Sequence, residues 1–163
     1  MADVMLGEMQ VIDAVCDLLE EQGYRIDFRV EKLSDQGPDI IATCKADGRV
    51  IIVEAKGQTS SDKNSKRFGL EFNLKQMNSH LGIALLKSLQ IVSGRIPKEV
   101  SEVLGEDVEH LQRLPAIAFP DNHEHLIDSI SSAFSKLGGI VFLISDNEKA
   151  RVHTGKLPPC KKR

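Results

Sequence analysis

Apolar residues recur at helical spacing near the start of the chain. Between Val4 and Gln22 they occupy positions 5, 9, 12, 15, 16 and 19, and Gly23 supplies a stop signal. From Tyr24 to Val30 the pattern changes to an alternation of apolar and charged residues, which predicts an edge strand with one face in water. The chain therefore begins with an amphipathic helix followed by an edge strand.

Two apolar runs, 39–45 and 49–55, come next and are separated by Asp47-Gly48. Both runs are rich in Val, Ile and Thr and have the length of a strand. Asp-Gly favours a type I′ turn, so the two runs predict a β-hairpin. Residues 50–53 are apolar on both faces, which predicts a central strand that is buried on both sides.

The second half of the chain predicts further helices and strands. These are a helix at about 68–92, one or two short helices at 97–114, a strand at 115–119, a helix at 122–137 and a strand at 140–144. Strand, helix and strand with short connections imply a parallel, right-handed crossover. We expect an α/β fold with one domain over 1–145 and a polar, flexible C-terminal tail over 146–163.

Composition indicates an ordinary globular chain. Its 163 residues are 41% hydrophobic and 28% charged. No apolar run approaches the roughly 20 residues of a membrane span, and the N-terminus lacks the basic flank and apolar stretch of a signal peptide. Cys16, Cys44 and Cys160 are odd in number and far apart, so we expect neither a disulfide nor a zinc site. The expected compartment is a reducing cytoplasm.

The predicted hairpin brings three chemically active side chains together. Its far ends carry Asp39 on one side and Glu54 and Lys56 on the other. Side chains alternate along a strand, so Glu54 and Lys56 share a face while Ala55 points away. Charges at the end of a buried strand are costly to leave unpaired, and a metal ion with oxygen ligands would compensate the acids. The alternative is an ordinary surface ion pair beside a Pro-Asp turn.

Pro38-Asp39, a spacer of fourteen residues and Glu54-Ala55-Lys56 resemble the PD-(D/E)XK signature of restriction-endonuclease-like nucleases. The resemblance covers roughly residues 5–92. It implies an αβββαβ core with a mixed central sheet flanked by helices, to which a C-terminal βαβ-type extension would be added. It also implies that Asp39 and Glu54 bind Mg²⁺, with Mn²⁺ as a substitute and the carbonyl of Ala55 as a further ligand. Lys56 would orient or activate the attacking water.

Two further site residues follow from the same resemblance. Members of this family often place another acid on the first helix, and Glu8 is the candidate. The other interpretation of Glu8 is an acid that favours the helix dipole. The helix after the catalytic strand often carries a polar residue that touches the site, and Gln76 and Lys75 are candidates.

The charge is unevenly distributed, although the net charge is only −3. Residues 56–98 hold eight basic residues against two acids, and residues 99–128 hold eight acids against one base. Clustered Lys and Arg bind nucleic-acid backbones through counterion release. The alternative is a solvated face. The candidate contacts are Lys63, Lys66, Arg67 and Lys75.

These observations predict a metal-dependent nuclease that hydrolyses DNA phosphodiester bonds in restriction, repair, recombination or a phage-related role. The alternative is a catalytically inactive nucleic-acid-binding or assembly module of the same fold. DNA is the expected partner ahead of RNA, and no membrane partner is expected. A homodimer would suit double-strand cleavage, because one active site cuts one strand.

Overall fold

A computed structural model describes residues 5–32, 35–60 and 62–161. This part of the chain forms an α/β fold in which helices flank a six-stranded mixed sheet. The helices are α1 (Glu8–Glu21), α2 (Leu74–Val92), α3 (Lys98–Leu104), α4 (Glu124–Asp128) and α5 (Ser131–Lys136). The strands are β1 (Arg25–Arg29), β2 (Ile40–Cys44), β3 (Arg49–Ala55), β4 (Gln112–Pro120), β5 (Ile140–Ile144) and β6 (Ala150–Thr154).

The strands lie in the sheet in the order in which they follow one another along the chain. β1, β2 and β3 are antiparallel neighbours, β3, β4 and β5 are parallel, and β6 runs antiparallel to β5. β1 is an edge strand and β3 is a central one whose residues 50–55 are all buried, so both predictions are confirmed. The parallel pairing of β4 with β5 confirms the predicted parallel crossover.

The two faces of the sheet are covered by different helices. Ile51, Val53 and Ala55 of β3 belong to the core beneath α1. Val50 and Ile52 point to the other face, where the core includes residues of α2 and α3. Successive residues of a strand point to opposite faces, so Glu54 lies on the face of α2.

Several predicted boundaries differ from those of the structure. Helix α1 begins at Glu8, and the predicted start at Val4 lies outside the described residues. Helix α2 begins at Leu74 rather than Phe68, because Asn73 caps it by accepting a hydrogen bond from Gln76 N–H. The helix predicted at 122–137 is divided into α4 and α5.

The hairpin turn also differs from the prediction. Lys45–Asp47 form a turn of 3₁₀-helix and Gly48 follows with φ of 63°, so four residues connect β2 to β3. This is not the two-residue type I′ turn expected from Asp47-Gly48. The strands and their pairing are nevertheless as predicted, because the positive φ of Gly48 still reverses the chain.

The C-terminal segment is not the loose tail predicted for 146–163. Ala150–Thr154 form β6 at an edge of the sheet, where Arg151 and Val152 are exposed. Cys160 forms a disulfide with Cys44, and its N–H donates to the carbonyl of Gln22 at 2.8 Å. The prediction that no disulfide forms is therefore wrong. The two cysteines are 116 positions apart in the sequence, so only the folding of the chain brings them together.

Candidate functional site

Asp39 and Glu54 meet where β2 begins and β3 ends. Ile40 is paired with Val53, which places the residues just beyond them side by side. The backbone N–H of Asp39 donates to the carbonyl of Val53 at 2.9 Å, and Oδ2 of Asp39 accepts from the N–H of Ala55 at 2.7 Å. The Asp39 carboxylate thus accepts the hydrogen bond of Ala55 N–H at the point where the backbone pairing of β2 with β3 ends. The predicted convergence of the hairpin ends is confirmed.

Lys56 joins this pair of acids from the end of β3. Its Nζ lies 3.1 Å from Oε1 of Glu54 and 3.8 Å from Oε1 of Glu8, which belongs to the first turn of α1. Its own N–H donates to the carbonyl of Ala118 in β4 at 3.0 Å. The ammonium therefore lies between two carboxylates from different elements. The sequence left open whether Glu8 reaches the site, and in the structure it lies within 3.8 Å of Lys56.

Gln58 and Gly57 hold α1 against the end of β3. Oε1 of the buried Gln58 accepts from the N–H of Leu6 at 2.7 Å, and the N–H of Gln58 donates to the carbonyl of Leu6 at 2.8 Å. A Cβ added to Gly57 would lie 2.7 Å from the backbone nitrogen of Glu8. This close approach fixes Glu8 beside Lys56. Sequence reasoning missed Gln58, because a lone glutamine in a polar loop carries no local signal of burial.

Lys87 of α2 is a further site residue that the sequence analysis missed. Its Nζ lies 2.6 Å from Oε1 of Glu54. The side chain of Lys87 is 45% exposed, whereas that of Glu54 is only 7% exposed. The buried carboxylate of Glu54 therefore contacts two ammonium groups, that of Lys87 from α2 and that of Lys56 from the end of β3.

A cavity of about 410 Å³ opens beside this ion pair. Glu54 and Lys87 line it together with apolar side chains, among them Ile52, Ile91 and Ile96. The Glu54 carboxylate is therefore enclosed by protein but not sealed beneath packed side chains. A cavity of this size can accept a ligand next to the carboxylate.

Burial dominates the electrostatics of the acids. Burial and, after it, the neighbouring Glu54 raise the pKa of Asp39, the Ala55 N–H and Lys56 lower it, and the net result is a pKa of about 7. Burial likewise raises the pKa of Glu8. Burial alone lowers the pKa of Lys56, but Glu54, Glu8 and Asp39 outweigh it and the pKa is raised. The cluster thus holds a charged lysine close to Asp39 and Glu8, two acids whose pKa values are raised.

His80 of α2 adds a neutral imidazole near the site. Its pKa is lowered by burial and then by the charge of Lys56. Its ring lies edge-on to Phe72, with 4.5 Å between centroids. The sequence analysis missed His80, because a single histidine on a helix is more often part of the packing than of a site.

Gln76 and the predicted DNA contacts lie in other surroundings. Oε1 of Gln76 accepts from the N–H of Asn73 at 3.0 Å, so this side chain completes the N-terminal cap of α2. Lys63, Lys66, Arg67 and Lys75 are exposed in the loop before α2 and in its first turn. Their role in binding nucleic acid stays a prediction, as does a role of Gln76 in catalysis.

The donor set at the end of β3 fits a hard dication. Asp39 and Glu54 supply carboxylate oxygens, and one oxygen of Asp39 already has a hydrogen-bond donor. That the carbonyl of Ala55 completes the set stays a prediction. Among the described residues, Cys44, Asp47 and Cys160 are the one group of three whose ligand atoms lie close together, but both sulfur atoms are in the disulfide. Cysteine binds metals as a thiolate, and the two disulfide-bonded cysteines have no thiolate to offer.

Comparisons of the chain with protein families, curated proteins and solved structures found no match. Within residues 5–32, 35–60 and 62–161, no helix combines the length and the apolar character needed to cross a membrane.

Proposed function

We propose that the chain is a metal-dependent nuclease that hydrolyses DNA phosphodiester bonds, with Asp39, Glu54 and Lys56 as its reactive groups. The observation that carries the proposal is the position of Lys56 Nζ, 3.1 Å from Glu54 and next to the Asp39 carboxylate at the end of a buried strand. Ligands of α/β proteins commonly bind at the carboxyl ends of the strands. The pattern resembles a restriction-endonuclease-like site, and we propose that the sheet is a version of that core.

Each residue has a distinct task in this proposal. Mg²⁺ held by the acids would lower the pKa of bound water and neutralise charge that develops on the phosphate. Lys56 places a fixed positive charge where the phosphate gains negative charge, and because its pKa is raised it stays protonated at neutral pH. Glu8 holds this ammonium from the side of α1, 3.8 Å away.

Lys87 acts as an exchangeable partner of Glu54. Its side chain is attached to an exposed part of α2, so the ammonium can leave the carboxylate without disturbing the core. A phosphate that enters the cavity beside Glu54 offers Lys87 an alternative anion. The ion pair therefore neutralises a buried acid until substrate and metal arrive.

The direct test is cleavage of supercoiled plasmid DNA with Mg²⁺ or Mn²⁺, with a chelator as the negative control. We expect cleavage by the native chain and losses of about 100-fold or more for Asp39→Asn, Glu54→Gln and Lys56→Met. Matched controls make the same chemical changes at the exposed residues Asp17, Glu20 and Lys136, and these proteins should keep their activity. Equal rates in the site variants and the controls would refute the proposal. Labelled RNA as competitor tests the choice of nucleic acid.

A non-catalytic nucleic-acid-binding or assembly module is the second candidate. The observation that favours it is the double ion pairing of Glu54, which leaves this acid neutralised without a metal. The two candidates differ in one readout. A module would bind DNA equally well with and without Mg²⁺ and leave it intact, and Asp39→Asn would not change a Mn²⁺ titration followed by calorimetry.

A further inference from the structure

Large apolar side chains are concentrated on the surface of one segment. Ten of them are exposed among the described residues, and seven lie between residues 68 and 92. Five of the seven are on α2, and four of these, Ile83, Leu86, Leu89 and Val92, lie between its middle and its end and are 42–58% exposed. Monomeric proteins rarely keep an apolar patch of this kind in water, so it indicates a surface that is covered by a partner.

After its first turn, the outer face of α2 is also free of charge. Leu86 lies at its centre, with Ile83 and Leu89 one turn to either side, and Lys87 is turned away toward Glu54. Lys87 is the one Lys, Arg, Asp or Glu between positions 76 and 94. A Cβ added to Gly82 on this face would meet no atom within 4 Å. A helix that faces water normally carries charges on that side.

We propose that this face of α2 is a homodimer interface, in which two copies of α2 pack antiparallel with Leu86 on the two-fold axis. The sequence is self-complementary about this residue. Ile83 of one copy meets Leu89 of the other, Gly82 meets Gln90, and Ser79 meets Ser93. At a two-fold axis each residue near the centre meets its own copy or its counterpart, so a charge there would repel itself. The face around Leu86 carries no charge, as a two-fold axis requires. The same face offers no charged group with which an acidic or basic partner could pair.

The small side chains of the face suit a close approach of the helices. Gly82, Ser79 and Ser93 lie on the same stripe as Leu86 and would let the two backbones come near. Leu86 and its two apolar neighbours would then bury most of the surface that is now exposed. The seam thus has apolar side chains at its centre and small polar ones at its ends, as interfaces commonly do.

The arrangement has a consequence for DNA that rests on the proposed function. Lys75 lies eleven residues before Leu86, so two antiparallel copies separate their Lys75 residues by about 33 Å along the helix axis. One turn of B-DNA is about 34 Å. The two Lys75 side chains would therefore reach successive turns of one duplex.

The interface can be tested apart from any nuclease activity, by sedimentation equilibrium over a concentration series. We expect the native chain to form a dimer and Leu86→Glu to be monomeric with unchanged circular dichroism, because the side chain is 58% exposed. The matched control is Leu137→Glu, which introduces the same charge at an apolar residue that is 44% exposed and directly follows helix α5. This control should remain a dimer.

Mixing two variants tests the position of the axis. Leu86→Glu and Leu86→Lys should each be monomeric alone and should form a heterodimer when mixed in equal amounts, because opposite charges then face each other. A native chain that stays monomeric at every concentration would overturn the proposal. A dimer that survives Leu86→Glu would do so too, as would a mixture that fails to associate.

Discussion

Nζ of Lys87 lies 2.6 Å from Oε1 of Glu54, across 33 residues of sequence. The contact joins an exposed helix to a carboxylate at the end of the central strand β3. It neutralises the acid that the proposed metal would need, so Lys87 and a dication compete for Glu54. Such competition predicts a gain of metal affinity on removal of the lysine.

We expect Lys87→Met to bind Mn²⁺ about 1.5- to 5-fold more tightly than the native chain, as measured by isothermal titration calorimetry. The range corresponds to the ~0.2–1 kcal/mol of a partly exposed ion pair. Lys75→Met is the matched control, because it removes an equal charge from the exposed start of the same helix. An affinity gain no larger than that of the control would contradict the competition.

We expect Asp39→Asn to change the pH dependence of stability. The pKa of Asp39 is about 7 in the folded chain and 3.8 in the reference state, so the folded chain holds this proton more tightly. Stability is therefore lost as the pH rises between these values. The free energy of unfolding of the variant minus that of the native chain should therefore increase by up to about 4 kcal/mol between about pH 4 and pH 8. Urea unfolding at several pH values measures this gain.

The control for this experiment is Asp17→Asn, which alters an exposed acid on α1. It should follow the native pH profile. If the free-energy difference between Asp39→Asn and the native chain were constant from pH 4 to pH 8, Asp39 would not be a carboxyl group with a raised pKa.

We expect Cys160→Ser to lower the free energy of unfolding by about 2–5 kcal/mol, because the disulfide to Cys44 closes a very long loop. Thermal and urea unfolding measure the loss. A reducing agent should lower the native chain to the stability of the variant and leave the variant unchanged. Equal stability of the oxidised and reduced native chain would show that the bond contributes nothing.

We expect Lys66→Ala with Arg67→Ala to weaken DNA binding and to flatten its salt dependence. Each phosphate contact that is lost should reduce the slope of log K against log salt by about 0.9. Fluorescence anisotropy with a labelled duplex measures both effects. Lys136→Ala with Lys149→Ala removes the same charge elsewhere, and a slope change as large in this control would place the contact outside the loop.

The sequence predicts those elements whose own residues determine them. β5 spans Ile140–Ile144 as expected. Its continuous apolar run, between a Gly pair and a polar segment, is typical of a strand that is buried on both faces of a sheet. β3 was likewise recognisable from its apolar residues on both faces. The convergence of Asp39 with Glu54 follows from the pairing of two adjacent strands, which is a local relationship.

The missed features depend on contacts between distant segments. Lys87 reaches Glu54 because α2 packs over β3, and the side-chain periodicity of a helix does not reveal which strand lies beneath it. β6 escaped prediction because an edge strand with exposed residues has a polar sequence like that of a loop. Gln58 is buried because it is hydrogen-bonded to Leu6, just before α1. Neither the residue type of Gln58 nor its neighbours in the sequence indicate this contact.

The hydrogen bond from Ala55 N–H to Oδ2 of Asp39 constrains the choice of ion. That donor occupies one lone pair of Oδ2, so a cation held at this place would find Oδ1 the more available of the two oxygens. Ca²⁺ favours six to eight ligands and often takes both oxygens of a carboxylate, whereas Mg²⁺ accepts single oxygens in an octahedron that waters complete. We therefore expect a site at the end of β3 to bind Mg²⁺ in preference to Ca²⁺, because the backbone amide of Ala55 already engages one oxygen of Asp39.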